Sequence, residues 1–289
     1  MKINAYAKIN LFLDVMEKRP DGFHNIRSIM HRVSLCDVVK VDRLSDCGRE
    51  IKISCASSSV PQGEGNLVWK AAKLFFDFFA IEEYNVSIEI EKRIPISAGL
   101  AGGSADAAAT LVALNKEYGI NADTTTLCVL GAKLGSDVPF CINGRTSLTT
   151  GRGEVMQDVE SNLELILVIA KGGEGVSTPS AYRRIDERFG DTLCENFADL
   201  DGALNAVKSG SMILLAETVY NTFEEVVLPE HAEASRAKAV MLENGAVFAM
   251  LSGSGPSVFG AYENTADAER VCAKLSAEGY EAHVCFSLK

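Results

Sequence analysis

Between residues 84 and 118 the sequence changes character twice. Residues 84–94 alternate, with Val86, Ile88 and Ile90 on one face and Ser87, Glu89 and Glu91 on the other, which predicts a half-buried strand. The run Pro95, Ile96, Ser97, Ala98, Gly99, Leu100, Ala101, Gly102, Gly103, Ser104 follows. An alanine-rich stretch of high helix propensity then begins at Ala105 and continues to residue 118. The order is strand, glycine loop, helix. A helix start leaves unpaired N–H groups and a partial positive charge facing whatever lies in front of it, a setting that binds phosphate, and glycines let the backbone come close to an anion. Ser104 adds a hydroxyl for a phosphate oxygen or a magnesium ion. The run is neither G-x-x-x-x-G-K-[ST] nor G-x-G-x-x-G, so the common NTPase and dinucleotide readings fail. A helix start that needs small residues only for close packing remains the alternative.

The rest of the chain alternates strands with helices. Residues 3–15 read as a strand carrying Lys8 and Asn10, closed by the turn Pro20, Asp21, Gly22. Residues 26–56 read as further strands. Asn66 caps a helix with Val68, Ala71, Ala72, Phe75 and Phe79 at helical spacing. A helix over 123–134 stops at Gly135, and Ser136, Asp137, Val138, Pro139 open a new element. Residues 164–170 form a buried strand. Helices are expected near 203–220 and 231–243, a strand pair around Ser252 to Ser257, a helix over 266–278 and a closing strand. This pattern predicts an α+β fold with helices covering sheet, and 289 residues suit two domains, 1–157 and 158–289.

The formal charge, 28 − 39 = −11, opposes a nucleic-acid or anionic-membrane partner bound by the whole surface. No stretch approaches the roughly 18 apolar residues that span a membrane, and polar residues interrupt the apolar N-terminal run. The 8 cysteines lack C-x-x-C spacing and the 4 histidines make no H-E-x-x-H, so neither zinc nor a disulfide framework is indicated. Reduced thiols in apolar runs, such as Cys141 and Cys285, suit a reducing cytoplasm.

Lys8 lies in an apolar strand, where its ammonium must reach solvent or a polar partner. Asp137 sits where a helix cap is expected, and His24 where a turn histidine is expected. The small-residue segment Ser252 to Ser257 reads by itself as a hairpin connection. Two glycine-rich turns in an acidic chain also suit phosphate held by backbone dipoles.

Taken together, three segments resemble the GHMP kinases, small-molecule kinases named for galactokinase, homoserine, mevalonate and phosphomevalonate kinases. Ala7-Lys8-Ile9-Asn10-Leu11 is similar to the first family motif, Pro95 to Ala108 to the phosphate loop, and Leu251 to Gly260 to the third motif. The resemblance implies a two-domain fold, with a ribosomal S5 domain 2-like N-terminal half and a ferredoxin-like C-terminal half. It implies ATP and Mg²⁺, with Pro95 to Ala105 holding the ATP phosphates and Ser104 meeting the metal. It also implies Asp137 as base and Lys8 as second catalytic residue. Pro20-Asp21-Gly22-Phe23-His24 and the segment from Leu134 to Phe140 are similar to one branch of the family, which acts on a polyol joined to cytidine diphosphate. That branch implies a bacterial cytoplasmic enzyme of non-mevalonate isoprenoid synthesis. Phe23 and Tyr182 would face the cytosine ring, His24 would hydrogen-bond it, and Asn10 would contact substrate. Tyr220-Asn221-Thr222-Phe223-Glu224 departs from the usual Asn-Asp-Leu-Glu at Thr222. The rivals are a GHMP kinase for homoserine or mevalonate, and a non-catalytic nucleotide- or RNA-binding module. The oligomeric state stays open.

Overall fold

The computed structural model describes residues 1–45, 47–190 and 198–289, and Cys194 lies outside them. The chain forms two compact units. The first holds residues 1–7, 36–94 and 101–144; the second holds 8–35, 95–100 and 145–289. Strands β1 (Lys2–Lys18) and β2 (His24–Ser45) each contribute a stretch to both units, so no single cut of the chain at residue 157 reproduces this division.

In the first unit the strand order is β3-β4-β2-β1, with β3 (Arg49–Cys55) parallel to β4 (Tyr84–Glu91) and β4 antiparallel to β2. The expected alternation of β4 is present: every second side chain from Tyr84 to Ile90 is buried. Helix α1 (Leu67–Phe78) begins at Asn66, whose side chain accepts from the Val68 N–H at 2.9 Å. It buries Val68, Ala71, Ala72, Phe75 and Phe76, while Phe79 becomes the C-cap. Phe76 stacks on Tyr84 with ring centroids 4.0 Å apart. Helix α2 (Gly102–Glu117) starts three residues before the alanine run, so two glycines form its first turn. α3 (Thr124–Ala132), capped by Asp123, and α4 (Val138–Asn143) complete the unit.

The second unit contains β5 (Ser147–Thr150), antiparallel to both β2 and β6 (Val155–Asp158). Its antiparallel sheet has the order β11-β7-β10-β9, built from β7 (Ile166–Lys171), β9 (Phe248–Leu251), β10 (Val258–Tyr262) and β11 (Glu281–Phe286). Val168, Ala170, Leu251 and Val258 share one buried cluster with residues of α5 (Thr178–Phe189), α9 (Ala232–Glu243) and α10 (Thr265–Ala277). Each large apolar side chain buried there contributes about 1.5–3 kcal/mol. The helix expected over 203–220 is two, α6 (Leu200–Ser209) and α7 (Met212–Thr218). Gly210 breaks it with φ +75°, and a Cβ at that position would lie 2.6 Å from the Asn162 carbonyl oxygen. β8 (Tyr220–Asn221), parallel to β1, and α8 (Glu224–Val227) follow. Among the described residues no helix is long and apolar enough to cross a membrane, and the seven described cysteines are free thiols. The α+β expectation holds.

Candidate active site

In the second unit the polar groups of β1 meet both glycine-rich turns. Lys8 is buried, and its Nζ donates to Asn10 Oδ1 at 2.7 Å and to the Gly99 carbonyl at 3.1 Å. The buried amine of Lys8 thus meets two neutral oxygens and no carboxylate among these partners. Asn10 in turn donates to Ser28 Oγ, which donates to the Phe12 carbonyl. The Gly99 carbonyl also accepts from Ser252 Oγ at 3.1 Å, and Ser257 N–H donates to the Ala98 carbonyl. Ser252 to Ser257 is therefore the β9–β10 hairpin connection that its spacing suggests, and also the partner of the 95–100 turn.

Asn221, which sequence reasoning passed over as a functional residue, fixes that partner. Its Nδ2 donates to the carbonyls of Leu251 and Gly253, and its Oδ1 accepts from the Phe223 N–H. The departing Thr222 places its hydroxyl 3.5 Å from Asp14 Oδ1 and accepts from the Val15 N–H. Asp14 is buried and paired with Arg27, and burial pushes its carboxyl up against the lowering effect of that guanidinium. An aspartate at 222 would set a second carboxylate beside it, a like-charge contact that threonine avoids.

The run from Pro95 to Ala105 passes from the second unit to the first at Ala101. Ser97, Gly99 and Ala101 all have positive φ, +52°, +75° and +57°. Pro95, Ala98 and Leu100 are buried while Ile96 and Ser97 are exposed. In the first unit, α2 opens at Gly102 with no side-chain cap and no acidic residue in its first turn. The first N–H groups of α2, from Gly102, Gly103 and Ser104, have no partner within the helix, and beside Gly103 the space where a Cβ would stand is open. This donor set fits an anion such as a nucleotide phosphate.

Beneath α2 lies a charge cluster that no motif announced. Lys92 Nζ pairs with Asp37 and, at 2.8 Å, with Asp106, and Asp37 Oδ1 accepts from the N–H groups of Arg93 and Ile94. Burial pushes the Asp106 carboxyl up to about 7, against the lowering effect of Lys92. Lys92 stays protonated, its pKa raised because the two carboxylates outweigh burial. A Cβ on Gly102 would stand 3.1 Å from Ile94 and 3.3 Å from the Lys92 ammonium, so glycine is what lets the helix start sit this close. Asp137 occupies the N-cap position of α4 but makes no capping hydrogen bond, and it is half-buried. Its carboxylate is not used as the cap that its position suggests.

A second polar group in the second unit surrounds His24. Arg19 to Phe23 form the turn between β1 and β2, with Arg19 N–H donating to the Phe23 carbonyl at 2.7 Å and Phe23 N–H to Asp21. Phe23 is 56% exposed, with the Arg152 guanidinium over its ring. His24, by contrast, is buried; its ring stacks on Tyr182 at 5.2 Å and 17°, and its Nε2 lies 2.8 Å from Asp186 Oδ1. The structure thus brings Tyr182 and His24 together and adds Asp186 to them. Among the described residues no group of three or more His, Cys, Asp or Glu could hold a metal ion.

Two family patterns match the chain: GHMP kinases N terminal domain over residues 66–145, and GHMP kinases C terminal over residues 203–281. Homoserine kinase from Cytophaga hutchinsonii, with TM-score 0.79, 18% identity and 100% and 94% of the two chains covered, shares the fold. The matches define the class: a small-molecule kinase of the GHMP type, which uses ATP. The 4-diphosphocytidyl-2-C-methyl-D-erythritol kinase of Clostridium perfringens (strain ATCC 13124) is 40% identical over 93% of this chain and 91% of its own. That of Clostridium novyi (strain NT) is 41% identical over 93% and 94%. A crystal structure of 4-(cytidine 5'-diphospho)-2C-methyl-D-erythritol kinase aligns over 100% of both chains with TM-score 0.83 and 30% identity. The chain belongs to this branch of the GHMP kinases, the 4-diphosphocytidyl-2-C-methyl-D-erythritol kinases.

Proposed function

We propose that this kinase transfers the γ-phosphoryl group of ATP to the 2-hydroxyl of 4-diphosphocytidyl-2-C-methyl-D-erythritol, in the bacterial cytoplasm, as a step toward isoprenoid precursors. The observation that carries the reading is the Lys8–Gly99–Ser252 junction, where a buried ammonium and both glycine-rich turns share one carbonyl oxygen. The acceptor hydroxyl oxygen bonds to the γ-phosphorus, the bond from that phosphorus to the β,γ-bridging oxygen breaks, and ADP departs. Asp137 takes the hydroxyl proton. A loose transition state asks more for positioning and charge stabilisation than for a strong base, so an aspartate suffices. Lys8 supplies a fixed positive charge, and Asn10 contacts substrate. Pro95 to Ala105 hold the phosphates, through the backbone N–H groups of the residues after Pro95.

Mg²⁺, when bound, screens the phosphate oxygens, and Ser104 would hold it with those oxygens. A magnesium ion that keeps waters and phosphates as most of its ligands needs no protein cage of carboxylates. Phe23, His24 and Tyr182 bind the cytosine, and Pro20 to His24 favour this substrate over homoserine or mevalonate.

The test is ADP release with the cytidine conjugate, homoserine and mevalonate as acceptors, for the natural enzyme and for Lys8→Met and Asp137→Asn. We expect turnover of the cytidine conjugate alone, a loss in kcat of about 10²-fold or more in each variant, and ATP binding retained. Near-normal kcat in either variant removes that residue from the chemistry, and preference for another acceptor removes the substrate.

A further inference from the structure

His24 has two ring nitrogens, and a base-reading role depends on which of them carries the proton. Asp186 Oδ1 lies 2.8 Å from Nε2, and Asp186 Oδ2 accepts from Lys18 Nζ at 2.5 Å, so both carboxylate oxygens are engaged. Burial raises the carboxyl pKa, but the hydrogen bonds from Lys18 and His24 outweigh it and hold the group below its ordinary range. An ionised carboxylate only accepts, so the nitrogen facing it must carry hydrogen. Tyr182, one helical turn before Asp186 on α5, stacks against the imidazole, and Phe223 meets the Tyr182 ring edge-on at 5.0 Å and 84°. The ring is therefore fixed in plane by one residue of α5 and in tautomer by another.

We propose that Asp186 is the positioning residue for base recognition: it holds the proton of His24 on Nε2, so that Nδ1 presents a lone pair, which a cytosine amino group satisfies and a uracil carbonyl opposes. The inference rests on the reading of His24 as the cytosine-binding residue. A purely structural role, tying α5 to the β1–β2 turn, would change stability and leave base choice alone. Asp186→Asn separates the two, because an amide can either accept from Nε2–H or donate to a bare Nε2, and so releases the tautomer.

The experiment pairs ¹⁵N NMR of the histidine ring nitrogens with kcat/KM for the cytidine and uridine conjugates. In the natural enzyme we expect neutral His24 protonated at Nε2 and a strong cytidine preference. In Asp186→Asn we expect a mixture of tautomers and a fall of about tenfold in the cytidine-to-uridine ratio, carried by KM and not kcat. Asp186→Glu should recover part of the ratio, and Lys18→Met, which loosens the tie but keeps the acceptor, should retain most of it. Neutral His24 protonated at Nδ1 in the natural enzyme overturns the proposal even if the variants fold poorly. An unchanged tautomer and ratio in Asp186→Asn overturn it too, leaving cytosine binding by His24 intact. If the natural enzyme uses both conjugates equally, or His24→Ala leaves the ratio unchanged, the cytosine reading itself fails and takes this proposal with it.

Discussion

Gly99 has φ +75°, and a Cβ there would stand 2.0 Å from the Ser252 carbonyl oxygen. Any side chain would push apart the two turns that meet at this residue. Gly99→Ala should therefore cost at least about 1–3 kcal/mol, the range for a strained left-handed residue, read as a lower urea midpoint. An unchanged midpoint would contradict the contact. Gly103 gives the opposite case, since its Cβ would meet nothing within 4 Å. Gly103→Ala should gain up to about 1 kcal/mol of helix stability yet raise the KM for ATP, because the methyl enters the open space where the proposed function puts phosphate. Unchanged KM would move the phosphates elsewhere. Lys8 and Gly99 stand out in the sequence because a lysine in an apolar strand and a glycine loop before a helix are both anomalies. Asn221 and Asp186 carry no such anomaly: an asparagine before a short helix and an aspartate on an exposed-looking helix are ordinary, and only tertiary contact shows what each one holds.

At the scale of elements, α2 depends on the Lys92 cluster under its first turns. Removing the ammonium leaves Asp37 and Asp106 as buried acids facing each other, and losing one partner of a buried ion pair costs about 3–5 kcal/mol. Lys92→Met should show a loss of this size in chemical denaturation, and a change within experimental error would mean that the acids are solvated. The strand β4, the Asn66 cap and the glycine start of α2 were legible because local periodicity and capping chemistry set them. Helix α5 was not. Its apolar stripe, Ala181, Tyr182, Ile185 and Phe189, is short and set among five charged residues, so the segment as a whole reads as polar. The split between α6 and α7 is local capping chemistry: Gly210 closes α6 in the left-handed conformation and the Ser211 hydroxyl accepts from the Leu214 N–H to open α7, a Gly-Ser signal that the single-helix expectation overlooked.

For the whole molecule, two buried groups link folding to pH with opposite sign. The Asp106 carboxyl is pushed up to about 7, so between about pH 4 and 7 the folded chain keeps a proton that the unfolded chain has released, and this contribution to stability falls as pH rises. Burial pushes His31 down to about 4, so between about pH 4 and 6.5 the unfolded chain binds the extra proton, and this contribution grows as pH rises. Relative to the natural protein, Asp106→Asn should gain stability as pH rises from 4 to 7, and His31→Gln should lose its relative advantage across the same range. Urea midpoints at several pH values test this, and difference profiles that stay flat would refute the assignment.

Fold and family were readable from the sequence because three separated motifs keep the family's order. β1 and β2 run through both compact units, and no Pro/Gly-rich linker marks a boundary in the sequence. The central claim concerns where the phosphoryl group goes, and the substrate offers a decisive reporter: C2 of 2-C-methylerythritol carries a methyl group and no hydrogen. Phosphorus NMR of the product made from ATP and 4-diphosphocytidyl-2-C-methyl-D-erythritol should show a new monoester resonance without three-bond coupling to any proton. A monoester signal split by a carbinol proton, or no new signal at all, would contradict the account.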